Sequence, residues 1–303
     1  DRHMKRYVAI LLLISGSACG KPVPPRPADA SCGLSKADIG RFVSLPDGSF
    51  MKGDSPNYPE ETPQLSLHVG AFSLQAHEVT NDQFAAFVRE TGYTTDAELS
   101  ASTGGPGAGS AVFDLPGTGT VKLDPWRLVP GATWTAPAGP GSSIAGMGAY
   151  PVVHVSERDA AVYAAWAGGR LPTEVEWEYA ATLGLAEPDV SSSGAYDTAG
   201  APVSNTWQGM FPVANTMADG FEGAAPVGCF PASRVGLYDM IGNVWEWTDT
   251  AYGPGTHTIK GGSYLCADNF CRRYRPAARQ PQDSDFSSVH IGFRIARDLP
   301  SAK

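Results

Sequence analysis

The chain has 303 residues, a net charge of −9, and 42% hydrophobic, 17% charged and 10% aromatic residues. This is the composition of a folded globular protein, long enough for one large domain or two small ones. The acidic balance gives no electrostatic footprint for nucleic acid, and 35 glycines with 25 prolines argue against a helical bundle or a regular α/β sheet.

At the start, Asp1-Arg2-His3 reads as a vector remnant ahead of Met4. Residues 4–19 then run from a basic start (Lys5, Arg6) through an apolar stretch from Tyr7 to Ile14 to small residues and Cys19. That layout is a secretory signal, too short to span a bilayer as a mature helix. Cys19 after Gly16-Ser17-Ala18 suggests lipoprotein processing, with this cysteine as the lipid anchor. The expected location is therefore exported: periplasmic, or anchored on the extracytoplasmic side of a membrane. Residues 20–38 read as a flexible Pro-rich tether, and 39–303 as a single domain. In an oxidising compartment paired cysteines default to disulfides. With Cys19 set aside, Cys32, Cys229, Cys266 and Cys271 remain, and Cys32–Cys229 with Cys266–Cys271 is one pairing the sequence allows.

Within the domain, Phe42 to Gly53 reads as a hairpin around Pro46-Asp47-Gly48. The segment from His68 reads as a strand entering a first helix. Thr80 caps that helix with Gln83 three residues on, a capping box; Phe84, Phe87 and Val88 form its apolar stripe and Gly92 ends it. Residues 99–150 are rich in Gly, Ser, Ala and Pro and read as a long ordered excursion. A second helix starts at Ser156, with Val162, Tyr163 and Trp166 as its buried face and Gly168 at its end. A third starts at Thr173, boxed by Glu176, with Arg170 bracing it and Val175–Tyr179 and Trp177–Ala181 at helical spacing. The remainder reads as short strands and long loops.

The stretch "GGSYLCADNFCRRYRPAAR" places Cys266 and Cys271 five positions apart. On a continuous strand such residues lie on opposite faces and about 16 Å apart, so two sulfurs there can neither bond nor share a metal. "ADN" between them is turn-forming and brings the thiols together. That permits either a disulfide or a clip for a soft cation such as Cu(I). The neighbouring Arg272, Arg273, Arg275 and Arg279 favour thiolate and are expected to order carboxylates and carbonyls rather than bind phosphate.

Four stretches occur in the order typical of the formylglycine-generating enzyme (sulfatase-modifying factor) family: "EVTNDQFAAFVRETGY", "YPVVHVSERDAAVYAAWAGGRLPTEVEWEYAA", "GLYDMIGNVWEWT", and "GGSYLC" through "IGFRIARD". The chain resembles that family over about residues 40 to 300. The resemblance implies an α+β fold with little regular secondary structure, related to C-type lectins. It implies an oxidase that uses Cu(I) and oxygen to convert a peptidyl cysteine to formylglycine, in a peptide or protein substrate bearing a Cys-x-Pro-x-Arg type of motif such as a sulfatase. Carried over residue by residue, Cys266 and Cys271 hold Cu(I) and are able to rest oxidised. Cys271 is the deeper partner and Cys266 the more exchangeable. Ser263 and Trp245 line the pocket where oxygen is met. Arg279 and Tyr274 support the loop and the substrate groove, with Trp134 as a groove wall. Two structural Ca2+ sites are implied. One comprises Asn205, the Thr206 carbonyl, Asp219 and the Phe221 carbonyl; the other comprises Asp239, the Gly242 and Val244 carbonyls, and Glu246. All are the oxygen donors a hard cation requires.

The chain departs from the family pattern at Ala267, where active members carry His, at Phe270, where they carry Tyr, and at His290, where Asn is common. His290 reads as a third copper ligand, a proton-transfer group or a surface replacement. These departures touch substrate recognition more than the cysteine pair. Two alternatives stand beside the oxidase reading. One is an exported relative oxidising another secreted peptide or metabolite; the other is a non-catalytic lectin-like binding module stapled by a Cys266–Cys271 disulfide.

Overall fold

A computed structural model describes residues 32–104, 108–115, 125–185 and 194–299. In chain order it contains β1 (Phe42–Leu45), β2 (Gly48–Lys52), a 3-10 turn (Pro59–Glu61), β3 (Leu65–Val69), β4 (Phe72–Gln75), α1 (Asn81–Thr91) and α2 (Asp96–Thr103). Then follow β5 (Ser110–Phe113), β6 (Trp126–Val129), α3 (Glu157–Trp166), α4 (Glu174–Gly184), β7 (Trp245–Gly253), β8 (Thr256–Lys260), β9 (Gln280–Asp283), β10 (Ile291–Gly292) and β11 (Ala296–Asp298). The elements are short and the connections long, as an α+β fold with little regular structure requires. The segment read as a signal with a lipid anchor, Cys19 included, lies outside the described residues. No helix among the described residues is long and apolar enough to cross a membrane.

Capping chemistry sets the helix starts. The side chains of Thr80, Thr95, Ser156 and Thr173 each accept a hydrogen bond from the backbone N–H three residues on, and their own backbone N–H groups donate in return to the side chains of Gln83, Glu98, Asp159 and Glu176. Gly92 closes α1 in the left-handed conformation, φ 68°. Arg170 braces α4 through a bidentate bond to Glu176 at 2.7 and 2.8 Å. The face of α3 differs from expectation. Val162 and Trp166 are 38% and 36% exposed, while Ala160, Tyr163 and Ala164 are buried. The two alanines let the helix lie close to its neighbours, and Trp166 instead covers Phe87 at 5.3 Å and donates to Glu90.

The expected Phe42–Gly53 hairpin does not form. β1 pairs with β4 (Phe42↔Gln75) and β2 with β3 (Gly48↔Val69). These distant partners bury Leu45, Phe72 and Leu74 against Trp177 and Tyr179, more apolar surface than a local hairpin offers. β11 completes the β1-β4-β11 sheet, and β10-β7-β8-β9 forms the second. β5 and β6 form a two-stranded ladder inside the stretch read as a long ordered excursion.

The core between α1, α3 and the second sheet is aromatic, with Phe84 5.3 Å from both Phe87 and Trp134. Cys32 and Cys229 are disulfide-bonded, and the Leu34 N–H donates to the Val227 carbonyl at 3.1 Å. The ordered body thus reaches back to Cys32, before the boundary expected at 39.

Candidate active site

The second sheet delivers the site. β8 runs straight into Gly261-Gly262, and the chain then loops through Ser263 to Arg275. Gly262 has φ +72°, and a Cβ there would sit 2.9 Å from the Tyr274 Cα, so no side chain fits as the loop crosses itself. The Cys266 N–H donates to the Ser263 carbonyl at 2.9 Å, and the Cys266 carbonyl accepts from the Trp207 N–H at 2.9 Å. Ala267 and Phe270 then exchange backbone bonds at 2.8 and 3.1 Å around Asp268-Asn269. The turn expected between the cysteines is present, and it brings their sulfurs to 2.9 Å. Both are free cysteines in this structure.

The two thiols differ in character, in the opposite sense to the expected depths. Cys266 is 1% exposed, part of the core cluster that includes Trp245 and Tyr274, whereas Cys271 beyond the turn is half-buried. Cys266 is therefore the deeper partner and Cys271 the accessible one. Burial pushes the Cys266 thiol well up. Cys271 is lowered, first by the hydrogen bond from Cys266 and then by the Arg273 guanidinium, against the cost of burial. The favoured arrangement is a Cys266 S–H donating to a Cys271 thiolate. Cys271 also holds φ 55°, a left-handed backbone in a non-glycine residue.

The arginines behave as the sequence suggests. Arg273 lies over the Tyr58 ring at 4.1 Å and pairs with Glu60 at 2.5 Å. Arg275 forms a buried pair with Glu61, and Arg279 pairs with Glu174 at 2.7 Å while covering Tyr252 at 4.4 Å. The 3-10 turn at Pro59–Glu61 thereby clamps the cysteine loop from outside.

Cys266 and Cys271 open into a cleft of about 580 Å³. Trp245 and Ser263 line it as expected, and so does His290. The His290 ring lies 4.8 Å from Trp126 and its Nδ1 is 2.7 Å from the Ser288 hydroxyl; burial pushes its pKa down to about 3, so it stands neutral. Three other expected groove residues lie elsewhere. Trp134 is packed in the core against Phe84, and Arg279 is engaged by Glu174 and Tyr252. Tyr274 is buried and donates its hydroxyl to Asp268, which supports the loop without facing the cleft.

The sequence reading missed the outer wall. It consists of Trp126 and Leu128 on β6, Gln280 and Gln282 on β9, and the stacked pair Phe211–Phe270 with ring centroids 4.4 Å apart. Leu128 and Phe270 are each 54% exposed. The apolar–polar–apolar run Trp126-Arg127-Leu128 was a short signal, masked by its Gly-rich surroundings.

The two calcium sets fare differently. In the first, Asn205 Oδ1 is buried with no partner, and Asp219 is buried with its carboxyl pushed up to about 6 by desolvation. An orphaned oxygen beside a carboxylate costly to ionise is what a bound hard cation relieves. The second set does not fit as expected. Both Glu246 oxygens accept from Arg294 at 2.7 Å, and Trp177 Nε1 donates to it at 2.8 Å. Asp239, the other carboxyl of that set, accepts the Gly228 N–H at 2.7 Å and is pushed up to about 6 by burial. Its carboxylate neighbour Glu78, unanticipated from sequence, is held well up by burial and by Asp239.

Fold and site together define a loop-rich α+β domain that carries a reduced, electronically unequal dithiol in an aromatic-walled cleft. A family model described as "Sulfatase-modifying factor enzyme 1-like domain" matches residues 31–299, and the chain belongs to that family. It is 46% identical over 297 residues to a formylglycine-generating enzyme of Mycobacterium tuberculosis, covering 85% of this chain and 97% of the relative. It is also 38% identical over 279 residues to an inactive C-alpha-formylglycine-generating enzyme 2 of Mus musculus, covering 87% of each. Among solved structures, PvdO from Pseudomonas aeruginosa superposes with a TM-score of 0.58 at 21% identity, covering 90% of this chain and 99% of that one. That likeness concerns the fold.

Proposed function

We propose that this chain oxidises a cysteine of a peptide or protein substrate to formylglycine with oxygen. The observation that carries the reading is the pair of free, unequal thiols 2.9 Å apart at the base of the cleft. Relatives named as formylglycine-generating enzymes, alignable over most of the chain, support it. The CH2–SH group loses two hydrogens to give a thioaldehyde, and hydrolysis yields the aldehyde and sulfide. Reduction of oxygen to two waters takes those two electrons and two protons, and two more of each from two external thiols, which leave as a disulfide.

Cys266 and Cys271 form a soft donor set that suits Cu(I), which when bound would supply the one-electron chemistry oxygen needs. The chain's own residues do the rest. Arg273 favours the Cys271 thiolate, and the buried Cys266 is shielded from solvent oxidants. Trp245 and Ser263 close the inner wall and exclude water. His290, neutral, presents a hydrogen-bond acceptor, and Phe211 with Phe270 offers a flat apolar seat for the residues flanking the substrate cysteine. Calcium at Asn205, Thr206, Asp219 and Phe221 would neutralise the buried Asp219 and hold that loop. We extend the same reading to export: the leader, with Cys19 as lipid anchor, would place this chemistry outside the cytoplasm.

The deciding experiment is an anaerobic Cu(I) titration of reduced protein against a competing chelator, with Cys266→Ser and Cys271→Ser alongside. One-to-one binding lost in both variants is expected. Folded, reduced protein that binds no Cu(I) would overturn the copper site.

A further inference from the structure

A second group of potential ligands lies away from the cysteines. Glu157 opens α3, Asp249 lies on β7, and His257 is near the start of β8, the end opposite the cysteine loop. Their ligand atoms all lie within 4.8 Å of one another. Among the described residues, neither carboxylate is taken up by an ion pair or a side-chain hydrogen bond. Two negative charges are thus brought together from separate elements with only an imidazole between them.

The histidine is oriented from outside the group. The Ser284 hydroxyl donates to the Gly255 carbonyl at 2.9 Å, so toward the imidazole 2.8 Å away it can only accept. Nδ1 therefore carries the proton, and Nε2 is the ring nitrogen whose lone pair is free. This is the outer hydrogen bond that fixes the tautomer of a metal-ligating histidine. Ser284 also accepts the Glu157 N–H through its carbonyl at 3.1 Å, so one residue positions two of the three donors. A divalent cation would relieve the repulsion between the two carboxylates.

We propose that Glu157, Asp249 and His257 form a binding site for a divalent transition cation, Mn2+ or Zn2+, with its remaining positions open to water. Two carboxylates and one imidazole are harder donors than the thiol pair, so Mn2+ distinguishes the two sites, whereas Zn2+ would also suit the thiols. Occupancy would join the start of α3 to β7 and β8. His257 pairs across the ladder with Gln282, which lines the cleft, so the cation would stiffen the strand behind the substrate wall without touching the chemistry.

The test is a Mn2+ titration followed by electron paramagnetic resonance, with calcium saturating so that other oxygen sites are filled. Wild type is compared with His257→Ala and with Asp249→Asn, whose side chain is exposed and whose fold is checked by near-UV circular dichroism. One Mn2+ per chain is expected, with affinity falling roughly tenfold or more in both variants while cysteine reactivity is unchanged. Identical isotherms for wild type and folded Asp249→Asn, or no Mn2+ bound by wild type, would overturn the site. Neither outcome depends on the oxidase reading, because the thiol pair is a poor ligand set for Mn2+.

Discussion

Asp219 offers a sign reversal that simple loss of a contact would not produce. The residue is 1% exposed, and burial pushes its carboxyl from an ordinary 3.8 up to about 6. It accepts from the Phe221 N–H at 2.9 Å, Gln208 Nε2 at 3.0 Å and the Thr206 N–H at 3.2 Å, which do not offset the desolvation. The folded state then holds the proton more tightly than the unfolded state. Calcium-free protein therefore loses stability as pH rises from 3.8 through about 6. The full penalty above that window is about 3 kcal/mol, at about 1.4 kcal/mol per pH unit. Asp219→Asn removes the charge but turns one amide N–H toward a donor, costing about 1 kcal/mol. In chelator at about pH 7.5 the variant should be about 2 kcal/mol more stable than wild type. With calcium at a hundredfold excess over its dissociation constant, wild type gains about 2.7 kcal/mol that the variant lacks, and the order reverses. Urea denaturation in chelator and in calcium reads both. A variant less stable than wild type in both buffers would refute the reasoning and reduce Asp219 to a turn-capping residue.

The thiol asymmetry predicts that iodoacetamide modifies Cys271 first, with a rate midpoint below the ordinary thiol range, while Cys266 stays protected in folded protein. Arg273→Gln and Cys266→Ser should each move that midpoint to higher pH, read by mass spectrometry across a pH series; unmoved profiles would refute the assigned causes. Arg294→Ala should destabilise by about 3–5 kcal/mol in urea, because it leaves Glu246 buried without its cation beside Glu78 and Asp239. A loss below about 1 kcal/mol would show that another group already balances those carboxylates.

What could be read in advance was local. Capping boxes are complete within four residues, so the starts of α1, α3 and α4 followed from Thr80, Ser156 and Thr173 alone. The turn between Cys266 and Cys271 was equally self-contained. Features fixed across long separations were misread. Leu45 pairs with Phe72 and not with the strand three residues away, and the commitment of Glu246 to Arg294 leaves no mark in "DMIGNVWEWT". The depths of the cysteines were inverted for the same reason, since the core cluster that takes in Cys266 is assembled from residues as far apart as Val79 and Ile295. β5, β6 and α2 went unseen because a Gly- and Ala-rich stretch carries little periodicity, although Thr95 with Glu98 repeats the capping pattern recognised elsewhere.

The recession of the dithiol bears on timing. Cys266 is almost fully covered, and the cleft of about 580 Å³ accommodates a side chain and its immediate flanks, not a folded surface. On the proposed reading a client must present its cysteine on a strand of chain clear of its own fold. Small domains close up in milliseconds to seconds, so modification runs as a race against the client's collapse. The yield is then set as much by how slowly the client folds as by how fast this protein turns over.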